Sequence, residues 1–393
     1  MRELRLKARE ERRIAAGHLW VFSNEVDIQA TPLSGFAPGE ACSITSSRGR
    51  FLGYGYVNPH ALICARLLGR DPRYPPDRSL LVHRLKVALA LRARLYQAPF
   101  YRLVHGEADG LPGLVIDRFG DVVVGQIGTA GIESMKGELL AAIEKVLKPR
   151  CVVWKNDSLA RNLEGLDSYV EVALGEAPAA LLVEENGVRF SVPAGGGQKT
   201  GWFYDQSANR RALLKYVPGM RVLDVFSYLG AWGLAAARAG ASEVVCVDSS
   251  EPALELLQST AIGNSLAVTA LKGDAFDVLA GLRAEDQSFD VVIVDPPAFV
   301  KKRRDFPRGQ AAYRKLNQLA MQLLPRDGVL VSCSCSHHFG PDELLATIQQ
   351  SARHLGRFAQ LLEAGGQGPD HPVHPAIPET RYLKAFFCRV VHD

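Results

Sequence analysis

The chain has 393 residues, 47% of them hydrophobic and 22% charged, with Lys+Arg 46 against Asp+Glu 42 for a formal net charge of +4. That length exceeds what one hydrophobic core usually covers, and the composition is that of a globular protein, which excludes a fibrous repeat or a largely disordered chain and predicts two or three domains. No stretch offers the roughly 18 uninterrupted apolar residues of a membrane span, and the basic residues of 1–13 precede no apolar run of the kind a secretory signal carries.

Seven cysteines, an odd number scattered from Cys42 to Cys388, argue against a disulfide framework and for a reducing, cytoplasmic setting. The net charge decides nothing about a nucleic-acid partner, because what matters is where the basic residues sit.

From Trp20 to Leu68, short alternating stretches (Glu40 to Thr45, Phe51 to Val57, Ala61 to Leu67) separated by Gly and Pro predict a small β-barrel or sandwich. Asp71-Pro-Arg-Tyr-Pro-Pro then breaks any regular element, since proline removes donors and restricts its neighbours. Leu80 to Leu95 reads as a helix with Leu81, Leu85, Val87 to Leu89 and Leu95 on a broad apolar face. Strands are expected at Tyr101 to Val104, Leu114 to Asp117, Val122 to Ile127 and Cys151 to Lys155, with a helix at Met135 to Leu147. A hairpin, Leu181 to Glu184 and Val188 to Pro193 about Glu185-Asn-Gly, leads out of this α+β section.

After residue 205 helices and apolar strands alternate. The helices are Ser207 to Tyr216, Trp232 to Ala239, Pro252 to Ile262 and Tyr313 to Leu324. The strands are Arg221 to Phe226, Glu243 to Val247, Ala267 to Lys272, Val291 to Val294 and Val329 to Ser332. Continuous apolar strands separated by helices predict a parallel sheet covered on both faces, a doubly wound α/β domain. The expected division is 1–72, 73–185 and 186–393.

In a doubly wound sheet ligands bind beyond the carboxyl ends of the strands. The first strand runs into Asp224-Val-Phe-Ser-Tyr-Leu-Gly-Ala-Trp-Gly, where Gly230 and Gly233 would let backbone approach a ligand. The second ends at Asp248-Ser249, an acid suited to a ribose diol, the third at Asp274, and the fourth at Asp295-Pro296-Pro297. Neither the G-x-G-x-x-G spacing of a dinucleotide site nor a phosphate-binding P-loop is present. Aspartates at successive strand ends instead suit a ligand carrying a cation and hydroxyls.

Asp224 to Gly233, Asp248, Asp274 and Asp295-Pro-Pro resemble the successive motifs of class I S-adenosylmethionine-dependent methyltransferases. Gln198-Lys-Thr-Gly-Trp-Phe-Tyr-Asp-Gln206 is similar to the cofactor motif that precedes the sheet in ribosomal RNA methyltransferases, and Gly17-His-Leu-Trp-Val-Phe-Ser-Asn-Glu resembles the start of a PUA RNA-binding domain. With Asp370-His-Pro-Val and Tyr382-Leu-Lys-Ala-Phe, the whole chain resembles the bacterial large-subunit ribosomal RNA methyltransferase I family, which forms 5-methylcytosine in 23S RNA.

The resemblance implies a PUA-like small β-barrel, a central α+β domain and a Rossmann-like methyltransferase sheet. It implies S-adenosylmethionine as cofactor, leaving as S-adenosylhomocysteine, with Gln198, Thr200, Asp224, Phe226, Gly230, Asp248, Ser249 and Asp274 as its contacts and no metal. The implied partner is ribosomal RNA, as 23S RNA or a large-subunit precursor, with a homodimer left open and no membrane.

Carbon 5 of cytosine is a poor nucleophile until another nucleophile adds to carbon 6, a role that suits a thiolate. Val331-Ser-Cys333-Ser-Cys335-Ser supplies thiols at the sheet edge, and Cys335 fits the family motif best. Related enzymes imply that Asp295 contacts nitrogen 3 of the base. Pro296 and Pro297 would form a rigid wall for a flipped base, Phe299 would stack on it, and Lys301, Lys302, Arg303 and Arg304 would meet phosphates. Arg2, Arg5, Lys7, Arg9, Arg12 and Arg13 form a second basic cluster.

Three other readings stay open on the sequence. Asp-Pro-Pro loops also occur where exocyclic amines of guanine or adenine are methylated without a thiol. A non-catalytic RNA-binding assembly factor would keep the fold with a degenerate site. Cys333, Cys335, His337 and His338 could be read as metal ligands, although the second ligand pair of a structural zinc site is missing. By alternation Cys333 could share a face with Cys335.

Overall fold

In a computed structural model of the chain, residues 1–194 and 200–392 are described; Gln198 lies outside them. The described residues divide into two compact units. One comprises residues 1–181, 193–194, 200–204 and 369–380, the other 182–192, 205–368 and 381–392.

In the first unit, Arg2–Arg5, Trp20–Phe22, Glu40–Thr45, Phe51–Val57 and Ile63–Gly69 form a five-stranded sheet in which only Arg2–Arg5 and Glu40–Thr45 run parallel. Cys42 and Ile44, alternate on their strand, close with Cys64 and Leu67 on Leu4, Leu6, Ile14 and Val21. A second sheet joins Phe100–His105, Leu114–Phe119, Val122–Ile127, Cys151–Asn156 and Tyr169–Leu174. Here Val122–Ile127 runs parallel to Cys151–Asn156, which the intervening helix Lys136–Leu147 makes possible.

Helix Arg78–Leu95 starts where the Asp77 side chain accepts the Leu80 N–H. Its buried face is narrower than the sequence suggests: Leu81, Leu85 and Ala88 are buried, whereas Val87, Leu91 and Leu95 face solvent. The last turn buries an arginine instead. Arg92 holds Asp109 through two bonds of 2.6 and 2.8 Å and donates to the Asp370 carbonyl at 2.6 Å. Arg102 is likewise paired with buried Asp117 through two bonds of 2.8 Å, and its N–H reaches Asp370 Oδ2 at 2.9 Å. Pairing is what makes these buried charges tolerable, and it fixes Pro369–Thr380 to this unit.

The second unit opens within the hairpin Ala180–Glu185 and Val188–Pro193, of which it holds Leu182–Val192; the turn places Asn186 (φ 51°) and Gly187 (φ 75°) in the left-handed region. Its sheet has seven strands: Arg221–Val225, Glu243–Asp248, Thr269–Lys272, Val291–Val294, Asp327–Ser334, Arg357–Gly365 and Lys384–His392. Counted in chain order, they lie across the sheet as third, second, first, fourth, fifth, seventh, sixth.

The first five are parallel as expected, but the seventh is antiparallel to the fifth and the sixth antiparallel to the seventh. The sheet is therefore mixed. Arg357–Gly365 gave no continuous apolar run because it is an edge strand, largely exposed. Helices pack both faces, one layer around Leu279, Leu316, Met321 and Ile348, the other around Leu213, Trp232, Leu254 and Leu257. The helix expected from Tyr313 begins earlier, at Phe306, with Pro307 in its first turn. No helix among the described residues is long and apolar enough to cross a membrane.

Candidate active site

Asp224 sits on the first strand, fully buried, and its Oδ2 accepts the Gly233 N–H at 2.9 Å. Gly233 has a packing reason: a Cβ there would lie 2.4 Å from Cys246 Sγ, so glycine lets the helix Ala231–Arg238 settle on the second strand. The close approach it permits is thus of helix to strand. Gly230, at φ 77°, turns the chain into that helix, and a Cβ on it would meet Leu257 at 2.6 Å. Phe226 and Tyr228 also take positive φ. Three left-handed residues in five make a tight loop between strand and helix.

Asp224 Oδ1 and Ser227 Oγ are buried beside this loop without a hydrogen-bond partner. Burial pushes the Asp224 carboxyl up to about 7, opposed by the Gly233 N–H and reinforced by the charges of Asp295 and Asp248.

Asp248 ends the second strand and braces the loop, accepting the Tyr228 N–H at 2.8 Å and the Ser250 N–H at 2.9 Å. Ser249 beside it is exposed. Asp274 is exposed and caps helix Ala275–Ala284, its Oδ1 accepting Phe276 N–H at 2.8 Å. Thr200 lies in the other unit, where its buried hydroxyl donates to Asp117 Oδ2.

Asp295 follows the fourth strand. Both its oxygens accept Gln206 Nε2 at 3.0 Å, and Oδ2 accepts Trp232 Nε1 at 3.1 Å. Desolvation pushes its carboxyl up to about 6, against the Trp232 bond and with the charge of Asp205. Buried Arg210, held bidentate by Glu185, supplies a nearby positive charge. Gln206 and Trp232 carried no site role on sequence, although both lie within the quoted motifs. What gives them one is the sheet order, which sets the first strand beside the fourth.

Cys335 stands just past the fifth strand, between Ser334 and Ser336. Tyr313 OH bonds both serine hydroxyls at 2.9 Å, the Ser336 N–H donates to Ser334 Oγ at 3.2 Å, and Ser336 Oγ accepts the Val300 N–H at 3.1 Å. The cysteine turn and the loop after Asp-Pro-Pro are thereby joined. Tyr313 is in turn stacked on Phe339 (4.7 Å) and tilted against Phe299 (4.8 Å).

Six of the seven cysteines are buried; Cys335 is the exception. Cys333 packs against Val331, Ile293 and Ala385 with its thiol pushed well above the usual range by burial and by the charge of Asp295. Lys384, paired across strands with Ser334, donates from Nζ to the Ser336 carbonyl at 2.7 Å and the Tyr382 carbonyl at 2.9 Å.

Pro296 is buried, Pro297 exposed, and Phe299 half-buried between Tyr313 and Phe276. Lys301, Lys302, Arg303 and Arg304 are exposed around a short turn before helix Phe306–Gln322. The amino-terminal basic cluster is partly spent inside its own unit: Arg13 pairs with Glu25 at 2.7 Å, Arg5 with Glu3 at 3.1 Å, and Arg2 lies 3.8 Å from Glu40. No group of three or more His, Cys, Asp or Glu among the described residues could hold a metal; His337 and His338 meet edge to face.

Comparison with known proteins bears on the whole chain. Residues 157–388 match the profile of the S-adenosylmethionine-dependent methyltransferases, and residues 4–70 that of a PUA-like domain. The chain is 36% identical over 390 residues to the ribosomal RNA large subunit methyltransferase I of Shigella boydii, and 37% identical over 390 residues to that of Photobacterium profundum; each comparison covers 97% of both chains. SMU.776, assigned as a methyltransferase and crystallised with SAH, has the same fold over 99% of this chain and 100% of its own, at a TM-score of 0.84 and 22% identity. The chain belongs to the ribosomal RNA large subunit methyltransferase I family of S-adenosylmethionine-dependent methyltransferases.

Proposed function

We propose that this protein methylates carbon 5 of a cytosine in 23S ribosomal RNA, in the cytoplasm, through a covalent adduct between Cys335 and carbon 6 of the base. The observation that carries the reading is that Cys335 alone among seven thiols is not buried, on a turn tied directly to the loop that follows Asp295. An enzyme acting on an exocyclic amine has no use for a thiol there. The relatives' shared name supports ribosomal RNA as substrate, and the PUA-like residues 4–70 support an RNA-binding role for the amino-terminal part. We read 1–72, 73–185 and 186–393 as an RNA-binding, a central and a catalytic domain.

The strand ends suit the cofactor. Asp224 Oδ1 and Ser227 Oγ are buried polar atoms awaiting a partner, and the carboxylates of Asp224, Asp248 and Asp274 complement a cation with ribose hydroxyls. Phe226, Gly230 and Ser249 border the same loops. S-adenosylmethionine supplies an electrophilic methyl group.

The protein's own residues then act on the base. The Cys335 thiolate bonds to carbon 6, and the electron pair displaced from the ring is met at nitrogen 3 by a proton from Asp295. Its raised carboxyl makes that proton available near neutral pH, and Gln206 and Trp232 hold the carboxyl in one orientation. Carbon 5, now part of an enamine, is nucleophilic. After it gains the methyl group it loses its proton to water, nitrogen 3 returns its proton to Asp295, and the sulfur–carbon bond breaks with its electron pair on sulfur to restore the ring. Pro296, Pro297 and Phe299 form the wall for the base, and Lys301 to Arg304 meet the phosphates.

Replacing Cys335 with Ala tests the reading. The variant should bind S-adenosylmethionine with unchanged affinity by calorimetry and form no 5-methylcytidine detectable by nucleoside mass spectrometry of treated RNA. Retained methylation would instead indicate an amine acceptor.

A further inference from the structure

Lys384 draws its ammonium into the interior at the cysteine turn. It is 6% exposed and comes from the strand antiparallel to the one that ends in Ser334. Its Nζ donates to the carbonyls of Ser336 and Tyr382, at 2.7 and 2.9 Å. Cys335 thus lies between Ser334, the cross-strand partner of Lys384, and Ser336, whose carbonyl accepts from Nζ.

We propose that Lys384 is the positioning residue that holds Cys335 as a thiolate, an ion pair assembled by the meeting of the fifth and seventh strands. The inference rests on the reading of Cys335 as nucleophile and adds the group that activates it.

The proton balance follows from the donors. A neutral lysine amine has two N–H bonds and a lone pair. With both N–H groups given to the Ser336 and Tyr382 carbonyls, the lone pair is left for the Cys335 proton. The S–H bond breaks, its electron pair stays on sulfur, and a third N–H forms on Lys384. When the sulfur leaves carbon 6 at the end of the reaction it again has this ammonium beside it.

Burial lowers the Lys384 amine to about 8, while the charges of Cys335 and Glu343 raise it and that of Arg381 lowers it. An amine in that range exchanges protons with a thiol near neutral pH, where an ordinary lysine stays protonated. Tyr313 and Cys333 also feel the charge of Cys335, and burial raises both of their groups, which keeps them uncharged at neutral pH. Lys384 thus brings a positive charge to the cysteine turn.

The test is the pH dependence of Cys335 alkylation by iodoacetamide, followed on the Cys335 peptide by mass spectrometry. In the unsubstituted protein the midpoint should lie below the value of about 8.5 for a free thiol. Lys384→Gln keeps a donor for the carbonyls but no charge. It should move the midpoint up by about one unit, which cuts the thiolate fraction at pH 7 about tenfold, whereas Lys384→Arg should leave it low. A reciprocal measurement covers the case in which Lys384→Gln does not fold: in Cys335→Ser, labelling of Lys384 with acetic anhydride should shift to lower pH. An unmoved alkylation midpoint in Lys384→Gln, or unmoved lysine labelling in Cys335→Ser, overturns the pair. Retained methylation by Cys335→Ala removes the nucleophile, and with it the role given to Lys384, independently of whether the pair itself is seen.

Discussion

Cys333 lies near the end of the fifth strand and Cys335 just past it, and their surroundings separate them. Cys333 is sealed in the core, near the charge of Asp295, so that its thiolate is disfavoured; Cys335 reaches the surface of the turn beside a lysine. Alternation along a strand could not distinguish them, because both side chains have the same parity. The helices that cover one and leave the other open come from distant sequence.

The aspartates make a pH prediction. The Asp224 carboxyl is raised to about 7 and that of Asp295 to about 6, both chiefly by burial. Each folded value exceeds the unfolded one near 4. The unliganded protein therefore takes up protons on folding at mildly acid pH, and their contribution is most favourable below about pH 4 and is lost as pH rises to about 7. Asp224→Asn should flatten that slope and raise unliganded stability at pH 8 by on the order of 1 kcal/mol or more, while weakening S-adenosylmethionine binding. Thermal melts at pH 5 and pH 8 with calorimetric titration measure both; an unchanged slope would remove Asp224 as its source.

At the level of elements, the site is made by strands that end together. Asp224, Asp248 and Asp295 are legible because short apolar strands followed by an acid are conspicuous, and the parallel sheet brings their ends to one edge. The seventh strand was not legible as a contributor. Lys384 sits within an antiparallel strand whose pairing with Asp327–Ser334 is set by the return of the chain through the edge strand Arg357–Gly365.

Helix Phe306–Gln322 provides the clamp on the cysteine turn through Tyr313. Tyr313→Phe keeps the ring stacked on Phe339 but removes the hydroxyl shared by Ser334 and Ser336. Leaving those groups underbonded should cost about 1–3 kcal/mol. It should also slow methyl transfer more than about tenfold, the order expected when reacting groups lose their alignment, with cofactor affinity unchanged. Denaturant melts and single-turnover kinetics check the two effects; full activity would show that the turn holds Cys335 without the hydroxyl.

For the molecule as a whole, a net charge of +4 hides a division of labour: acids gathered at the strand ends, and a basic run at Lys301 to Arg304 whose four side chains are all exposed. Replacing those four by Gln should weaken RNA binding and reduce the slope of log affinity against log salt by up to about 3, as fewer phosphates are neutralised. A filter-binding series in potassium chloride reads the slope, and an unchanged value would take this run out of the RNA interface. The amino-terminal cluster is a weaker candidate, because Arg2, Arg5 and Arg13 already have acidic neighbours. Sequence counts the charges but does not reveal which of them fold back on acids of their own unit.

The central claim is a bond between one sulfur and one carbon. Incubating the protein with S-adenosylmethionine and target RNA containing 5-fluorocytidine tests it, since fluorine at carbon 5 cannot leave as a proton does and the adduct persists. The account predicts a denaturation-resistant protein–RNA complex whose crosslinked peptide carries the nucleotide on Cys335, absent in Cys335→Ala. No complex from an otherwise active preparation, or a crosslink at Cys333, would contradict it.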